Sequence, residues 1–350
     1  MKNRKRFILL EPSSHHYQED RLFDIENEHL NRDGTLLPFF RAAQEAKKNG
    51  HELHTADMFK TYGEEKPEYY SLGILDGNKK LQGVPGVNYS GFLIMEPPIV
   101  APKLYAALPQ LTAMYDCVYV HNTEGVGYST EGVDMSKLKK FFWPMPYDDV
   151  QEPFWSHADR KNSIVVINGN HNPGFRLGEQ YSTRIEAMAE LAATGLIDLF
   201  GFGWKKWWSL KSLWLPYWRH RKKLMSIYKG SCRSKLETLS QYRFCLCFEN
   251  MAMDGYITEK IIDCFYAGTI PLYLGAPDVD KYIPKDCYID CRDFKSWSEM
   301  LEKIRSMPAS EIEAKREAGR SYLRSPEGRR FFNSFDSILQ LSEPAVTVFP

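Results

Sequence analysis

Apolar residues along the chain switch between two periods. Residues 6–12 (RFILLEP) form a short unbroken apolar run, which predicts a buried strand. Residues 36–49 (LLPFFRAAQEAKKN) carry apolar side chains at helical spacing and stop at Gly50, and 51–57 (HELHTAD) reads as the next strand. Strand, helix and strand in that order predict a parallel βαβ unit. Further strands are expected at 91–97 (GFLIMEP) and 117–122 (CVYVHN), with a short helix over 102–111 (PKLYAALPQL) between them. Residues 60–90, rich in Gly, Tyr and Lys, show no clear period and yield no element.

Residues 143–162 (WPMPYDDVQEPFWSHADRKN) are dense in proline and charge and read as an interdomain linker. The alternation then restarts. Strands are expected at 163–169, 197–203, 243–250 (RFCLCFEN) and 269–275 (TIPLYLG), and helices at 182–194, 234–242 and 258–268. CYIDCRD, SWSEMLEKIRS and a long helix from about 309 complete the series. The fold class expected is α/β, with two Rossmann-like domains facing across a cleft. The domains are placed at 1–155 and 156–325, with 326–350 as a C-terminal helix and tail. The alternation by itself would also fit one large doubly wound sheet.

Composition narrows the function. Hydrophobic residues make up 43% of the 350, charged residues 26%, and mean hydropathy is −0.44, as in ordinary globular proteins. Lys plus Arg (45) equals Asp plus Glu (45), so no global field points to nucleic acid. Seven cysteines without a CxxC pair suggest a reducing compartment and neither a disulfide framework nor a zinc site. The basic start MKNRKR precedes only four apolar residues, too few for a signal peptide, so the expected address is cytoplasmic.

Candidate chemistry concentrates in FENMAMDGYITEK, residues 248–260, between a strand and a helix. Ligands of open α/β sheets bind beyond the carboxyl ends of strands, at helix N-termini. Thr258 is a plausible N-cap for the following helix. Lys260 in its first turn opposes the helix dipole unless an anion such as a diphosphate lies in front of it. Glu259 suits the hydroxyls of a ribose better than a phosphate. Read as residues alone, the string also fits a capped helix with a solvated Glu–Lys pair.

The whole run from SQYRF through FEN, Y-x-T-E-K and IPLYLGAP (residues 241–277) resembles the signature of the α1,3-fucosyltransferase family, glycosyltransferase family 10. GFLIMEPP (91–98) resembles the family's strand and turn that carry its catalytic base, and VVINGN followed by Arg184 resembles its strand-plus-arginine segment. The resemblance implies the GT-B architecture, a GDP-fucose donor and an oligosaccharide or lipid-linked glycan acceptor. Carried over by position, Arg184 and Lys260 hold the diphosphate, Glu259 takes ribose hydroxyls, and Asn250 and Tyr256 line the donor pocket. Glu96 deprotonates the acceptor hydroxyl, which implies inversion at the anomeric carbon. Pro97 departs from the usual small polar residue after the base and leaves the acceptor open.

No metal is expected. The single DxD, Asp278-Val279-Asp280, lies beyond the TIPLYLG strand, and two fixed cations could replace a metal. His15 and His16 read as an exposed loop, Cys245 and Cys247 as core, and Glu249 as a residue that shapes the pocket. The reading is thus a metal-independent fucosyltransferase of bacterial surface glycan synthesis. The alternatives are the same fold with another nucleotide sugar, or a non-catalytic binder of nucleotide sugars or glycans.

One segment stands apart. From Leu199 to Leu236 there is no acidic residue, yet ten Lys or Arg and five of the eight tryptophans (Trp204, Trp207, Trp208, Trp214, Trp218) fall there. Aromatic and basic residues together hold proteins on anionic membrane surfaces, so residues 205–227 are a candidate peripheral contact with the inner membrane face. A loop packed on the protein is the competing expectation.

Overall fold

The apolar run at the start of the chain becomes strand β1 (Phe7–Glu11), with all five residues buried. The computed structural model describes residues 5–61, 66–77, 86–173, 177–205 and 214–341. The chain forms two units: residues up to Pro146 with those from Arg330 onward, and Tyr147–Arg329.

In the first unit β1 pairs in parallel with β2 (Glu52–Thr55) and β3 (Glu68–Ser71). The sheet continues through β4 (Asn88–Leu93), β5 (Cys117–Val120) and β6 (Leu138–Lys140), in the order β2-β1-β3-β4-β5-β6. Alternate residues of β1 enter opposite cores, as the pleat demands. Ile8 and Leu10 pack with Phe39, Ala42 and Ala46 of the helix Leu37–Lys48, whereas Phe7 and Leu9 join Phe92, Leu108 and Leu111. The first core also takes Phe335, Ile338, Leu339 and Leu341. Arg6 donates to the carbonyls of Leu339 and Gln340, and Arg41 to that of Phe332. Residues 330–341, expected as part of a tail, therefore complete the first unit.

Three details differ from the sequence reading. β3 lies within 60–90, where only four residues, EYYS, form the strand and no alternation can show. The helix expected over 102–111 divides into Pro102–Ala106 and Leu108–Met114, with a proline in the first turn of each, where the missing N–H costs nothing. The strand expected to reach 97 ends at Leu93.

The second unit is also one parallel sheet: β7 (Lys161–Ile167), β8 (Ile197–Phe200), β9 (Tyr228–Gly230), β10 (Tyr242–Phe248), β11 (Ile270–Leu274) and β12 (Ile289–Asp290). Its order is β12-β11-β10-β7-β8-β9. After β7 the chain adds strands on one side, and β10 then starts on the other, so the order reverses between β7 and β10. That reversal point opens a crevice at the carboxyl ends of the two strands. The division between units falls inside the segment read as a linker. Its part from Tyr147 on packs with the second unit, where Gln151 donates its N–H to the Tyr266 carbonyl and Arg160 bonds that of Ala267.

Candidate functional site

A cavity of about 210 Å³ occupies the crevice, lined by Asn168 and Gly169 after β7, Cys247 and Phe248 of β10, and Lys235, Glu259 and Lys260 from the helices behind. The quoted turn forms one wall. Thr258 caps the helix Glu259–Ala267, and the stretch Gly178–Gln180 bonds alongside Asn250–Ala252 to hold the turn in place. Asp278 of the DxD accepts from the Gly255 N–H at 2.7 Å and so fixes the far end of the turn. Among the described residues no group of three His, Cys, Asp or Glu is arranged to hold a metal.

Glu249 is the hub. It is fully buried, and its carboxylate accepts from the Thr258 N–H (2.8 Å), the Thr258 hydroxyl and the Lys260 ammonium (2.9 Å). The anion in front of Lys260 is thus supplied by the protein itself. Burial pulls the Lys260 pKa down, but Glu249 and Glu259 outweigh it and hold the ammonium above its ordinary value. Lys260 also donates to the Thr258 hydroxyl at 3.0 Å. An ammonium has three N–H donors, so one remains for a ligand oxygen.

Lys235, which the sequence reading did not single out, lies 3.3 Å from Asp263 and 3.9 Å from Glu259. Burial pushes the Glu259 carboxyl up, yet Lys260 and Lys235 together bring it below the usual carboxylate range. Glu259 is therefore held as an acceptor at the cavity wall. Lys235 sits on a separate short helix, Lys235–Ser240, 24 residues earlier, so only packing reveals its part.

The other expected site residues divide. Asn250 donates to the Tyr256 hydroxyl at 3.4 Å, which brings those two together beside the turn. Arg184, in the helix Tyr181–Leu191, is 2% exposed and its Nη2 donates to the Phe248 and Glu249 carbonyls at 2.6 and 3.0 Å. It braces the turn from beneath, and burial lowers its pKa despite nearby Tyr181 and Glu249. Glu96 follows β4 in the first unit, half-buried, where the Pro97 carbonyl accepts from Val100 and Ala101 in a tight turn. Cys245 and Cys247 are buried beside Cys264, and the His15 and His16 rings lie tilted against each other at the surface.

The tryptophans of 199–236 also divide. Trp204 and Trp214 are buried and donate to Asn168 O and Asn170 Oδ1, bracing the loop that lines the cavity. Trp207 and Trp208 lie outside the described residues. The helix Leu215–Ile227 buries Tyr217, Leu224 and Ile227 and presents Leu215, Trp218, Arg219, Lys222 and Lys223 on its exposed face. Among the described residues no helix is long and apolar enough to cross a membrane.

Residues 176–316, which contain the whole turn and all the cavity's helices, match glycosyltransferase family 10 (fucosyltransferase), C-terminal part. That stretch of the second unit is thus similar to the C-terminal part of this family. A stretch of 73 residues is 45% identical to an alpha-(1,3)-fucosyltransferase of Helicobacter pylori, covering 21% of this chain and 15% of that relative. A solved α1,3-fucosyltransferase superposes on 96% of this chain and 88% of its own at a TM-score of 0.52 and 15% identity. An α-glucosyltransferase in complex with UDP-glucose and DNA containing an abasic site superposes on 95% and 99% at a TM-score of 0.57 and 13% identity. These two likenesses are of fold: two parallel-sheet α/β units, the GT-B class. In the matched stretch the signature residues are thus a capped turn at a sheet's reversal point, with Glu249 as its buried anchor.

Proposed function

We propose that the protein transfers L-fucose from GDP-fucose to a hydroxyl of a glycan acceptor, forming an α1,3-type linkage with inversion and without a metal. The observation that carries this reading is the cavity at the reversal point, whose wall sets a fixed ammonium beside a fixed carboxylate. Diphosphate departure needs positive charge that does not have to reorganise, and Lys260 is already oriented by Glu249 and Thr258. Glu259 receives the ribose hydroxyls, and Asn250 and Tyr256 shape the edge of the donor site. Arg184 carries the turn that presents these groups. Its Nη2 is taken by the Phe248 and Glu249 carbonyls, so any contact of Arg184 with the diphosphate comes from its other guanidinium nitrogens. Glu96 accepts the proton of the attacking hydroxyl, a task that typically contributes about 10²–10⁴-fold.

Turnover of GDP-fucose with a panel of galactose- and N-acetylglucosamine-containing acceptors tests the reading. Transfer that survives EDTA and falls at least a hundredfold in Glu96→Gln, with GDP affinity retained, is the expected result. Transfer from another nucleotide sugar only, GDP binding without turnover, or a strict metal requirement would replace it.

The same reading places the enzyme on the cytoplasmic membrane face, in synthesis of a bacterial surface glycan. The supporting observation is the acid-free exposed face of the helix Leu215–Ile227, with Leu215 74% and Trp218 38% exposed beside three basic residues. Sedimentation with anionic vesicles should weaken with salt and fall in the double variant Leu215→Ser, Trp218→Ser. No sedimentation, or equal sedimentation with neutral lipid, would remove the membrane from the proposal.

A further inference from the structure

At the opposite end of the same sheet, the segment following Tyr147 folds against the start of β10 and the helix Ala309–Arg324. Together they line a second, half-open pocket of about 390 Å³, with Trp155, Arg160, Arg243, Ile312, Glu313 and Arg316 among its walls. Its size falls within the range of small-molecule sites, roughly 300–1,000 Å³. Arg243 and Phe248 are five residues apart on β10, so about 17 Å of strand separates it from the donor cavity.

Three arginines face one acid here. Arg160 and Arg316 are fixed forks: Arg160 donates to the carbonyls of Phe154, Trp155 and Ala267, and Arg316 to those of Gly268 and Trp155. They converge closely enough that a Cβ on Gly268 would lie 3.0 Å from one Nη2 and 3.1 Å from the other. Glu313 is half exposed and bonds only Arg316. Burial and the neighbouring Arg316 lower the Arg160 pKa to about 10. The Arg243 side chain makes no hydrogen bond or ion pair among the described residues. Trp155 is 8% exposed, and its buried Nε1 has no hydrogen-bond partner. The helix Ala309–Arg324 begins at this wall without a side-chain cap, adding the positive end of its dipole.

A buried N–H donor without an acceptor, an unpaired guanidinium and an excess of positive charge around one cavity all lack the same thing, an oxyanion. We infer that this cavity is a second binding site, distinct from the donor cavity, for a sugar that carries a phosphate or a carboxylate. The charged group meets Arg243 and Arg316 beside the buried Trp155 N–H, and the ring lies against Ile312 and Ala309. Such a site would hold an acidic glycan at a distance from the reacting centre.

Calorimetric titration of the full chain with glucose 1-phosphate, glucuronate and glucose tests this. One or both anions should bind, with affinity that falls as salt rises, and glucose should not. Whichever anion binds names the source. Arg243→Gln should weaken that binding at least about tenfold, the loss expected for one charge-assisted contact, with GDP affinity and melting temperature unchanged. Trp155→Phe, which keeps a ring and removes the N–H, should weaken it several-fold. The inference is overturned if neither anion binds, if glucose binds equally well, or if both variants bind as the wild type does, which would put the anion in the donor cavity.

Discussion

Glu249 decides whether the donor wall exists. A buried carboxylate replaced by an amide leaves the Lys260 ammonium and the Thr258 hydroxyl without their common anionic acceptor. Glu249→Gln is expected to destabilise the protein by about 3 kcal/mol, measured by urea unfolding, because breaking a buried pair strands the remaining charge. GDP affinity should fall with it. Lys235 acts one step further out. The Glu259 carboxyl is held low by Lys260 and Lys235, so its contribution is present above the ordinary carboxylate pKa and is lost as pH falls through its lower folded value. Lys235→Met removes one of the two cations and should move the acid loss of GDP binding to higher pH. An unchanged pH profile would mean that Lys260 suffices. Sequence spacing exposed Lys260 and Glu259 because they share one turn. It could not expose Lys235, nor the burial of Arg184, because both depend on which helices pack together.

Among elements, the helix Glu259–Ala267 was readable from both ends: Thr258 before it, and after it Gly268, which stands at a φ of +68°. That glycine has a second reason to lack a side chain, since Trp155, Arg160 and Arg316 crowd the place a Cβ would take. Gly268→Ala is expected to lower stability by about 1–3 kcal/mol in thermal unfolding, from left-handed backbone strain together with displacement of the two guanidiniums. If the second cavity binds an anion, that binding should weaken in the same variant. Strands were readable where they ran long, as in YRFCLCF, and unreadable where four residues sufficed, as in β3. A short parallel strand covered on both faces has neither length nor alternation to show.

For the whole molecule, the α/β plan followed from the order of strands and helices, whereas that order left one sheet or two open and did not give the partition. Proline and charge marked the right neighbourhood for the boundary, but the residues after Tyr147 belong with the second unit through contacts to Tyr266 and Ala267. Every described residue lining the cavity at the reversal point lies in the continuous stretch Tyr147–Arg329. Residues 147–329 expressed alone should therefore fold as one cooperative unit and bind GDP within a few-fold of the full chain, by calorimetry, while transferring no sugar for want of Glu96. Loss of GDP binding in a folded fragment would show that the first unit contributes to the donor site.

The first unit is assembled from both ends of the chain, and this has a consequence for its birth on the ribosome. Phe335, Ile338, Leu339 and Leu341 belong to the core built on β1. At about 5–20 residues per second, the stretch from Pro146 to Leu341 takes on the order of ten to forty seconds to synthesise. Through that interval the core on one face of the first-made sheet, already holding the helix Leu37–Lys48, waits for its last apolar residues, while the later-made unit can already reach its final form. Synthesis order and completion order are thus reversed. The half of the protein translated first is the half most in need of a chaperone.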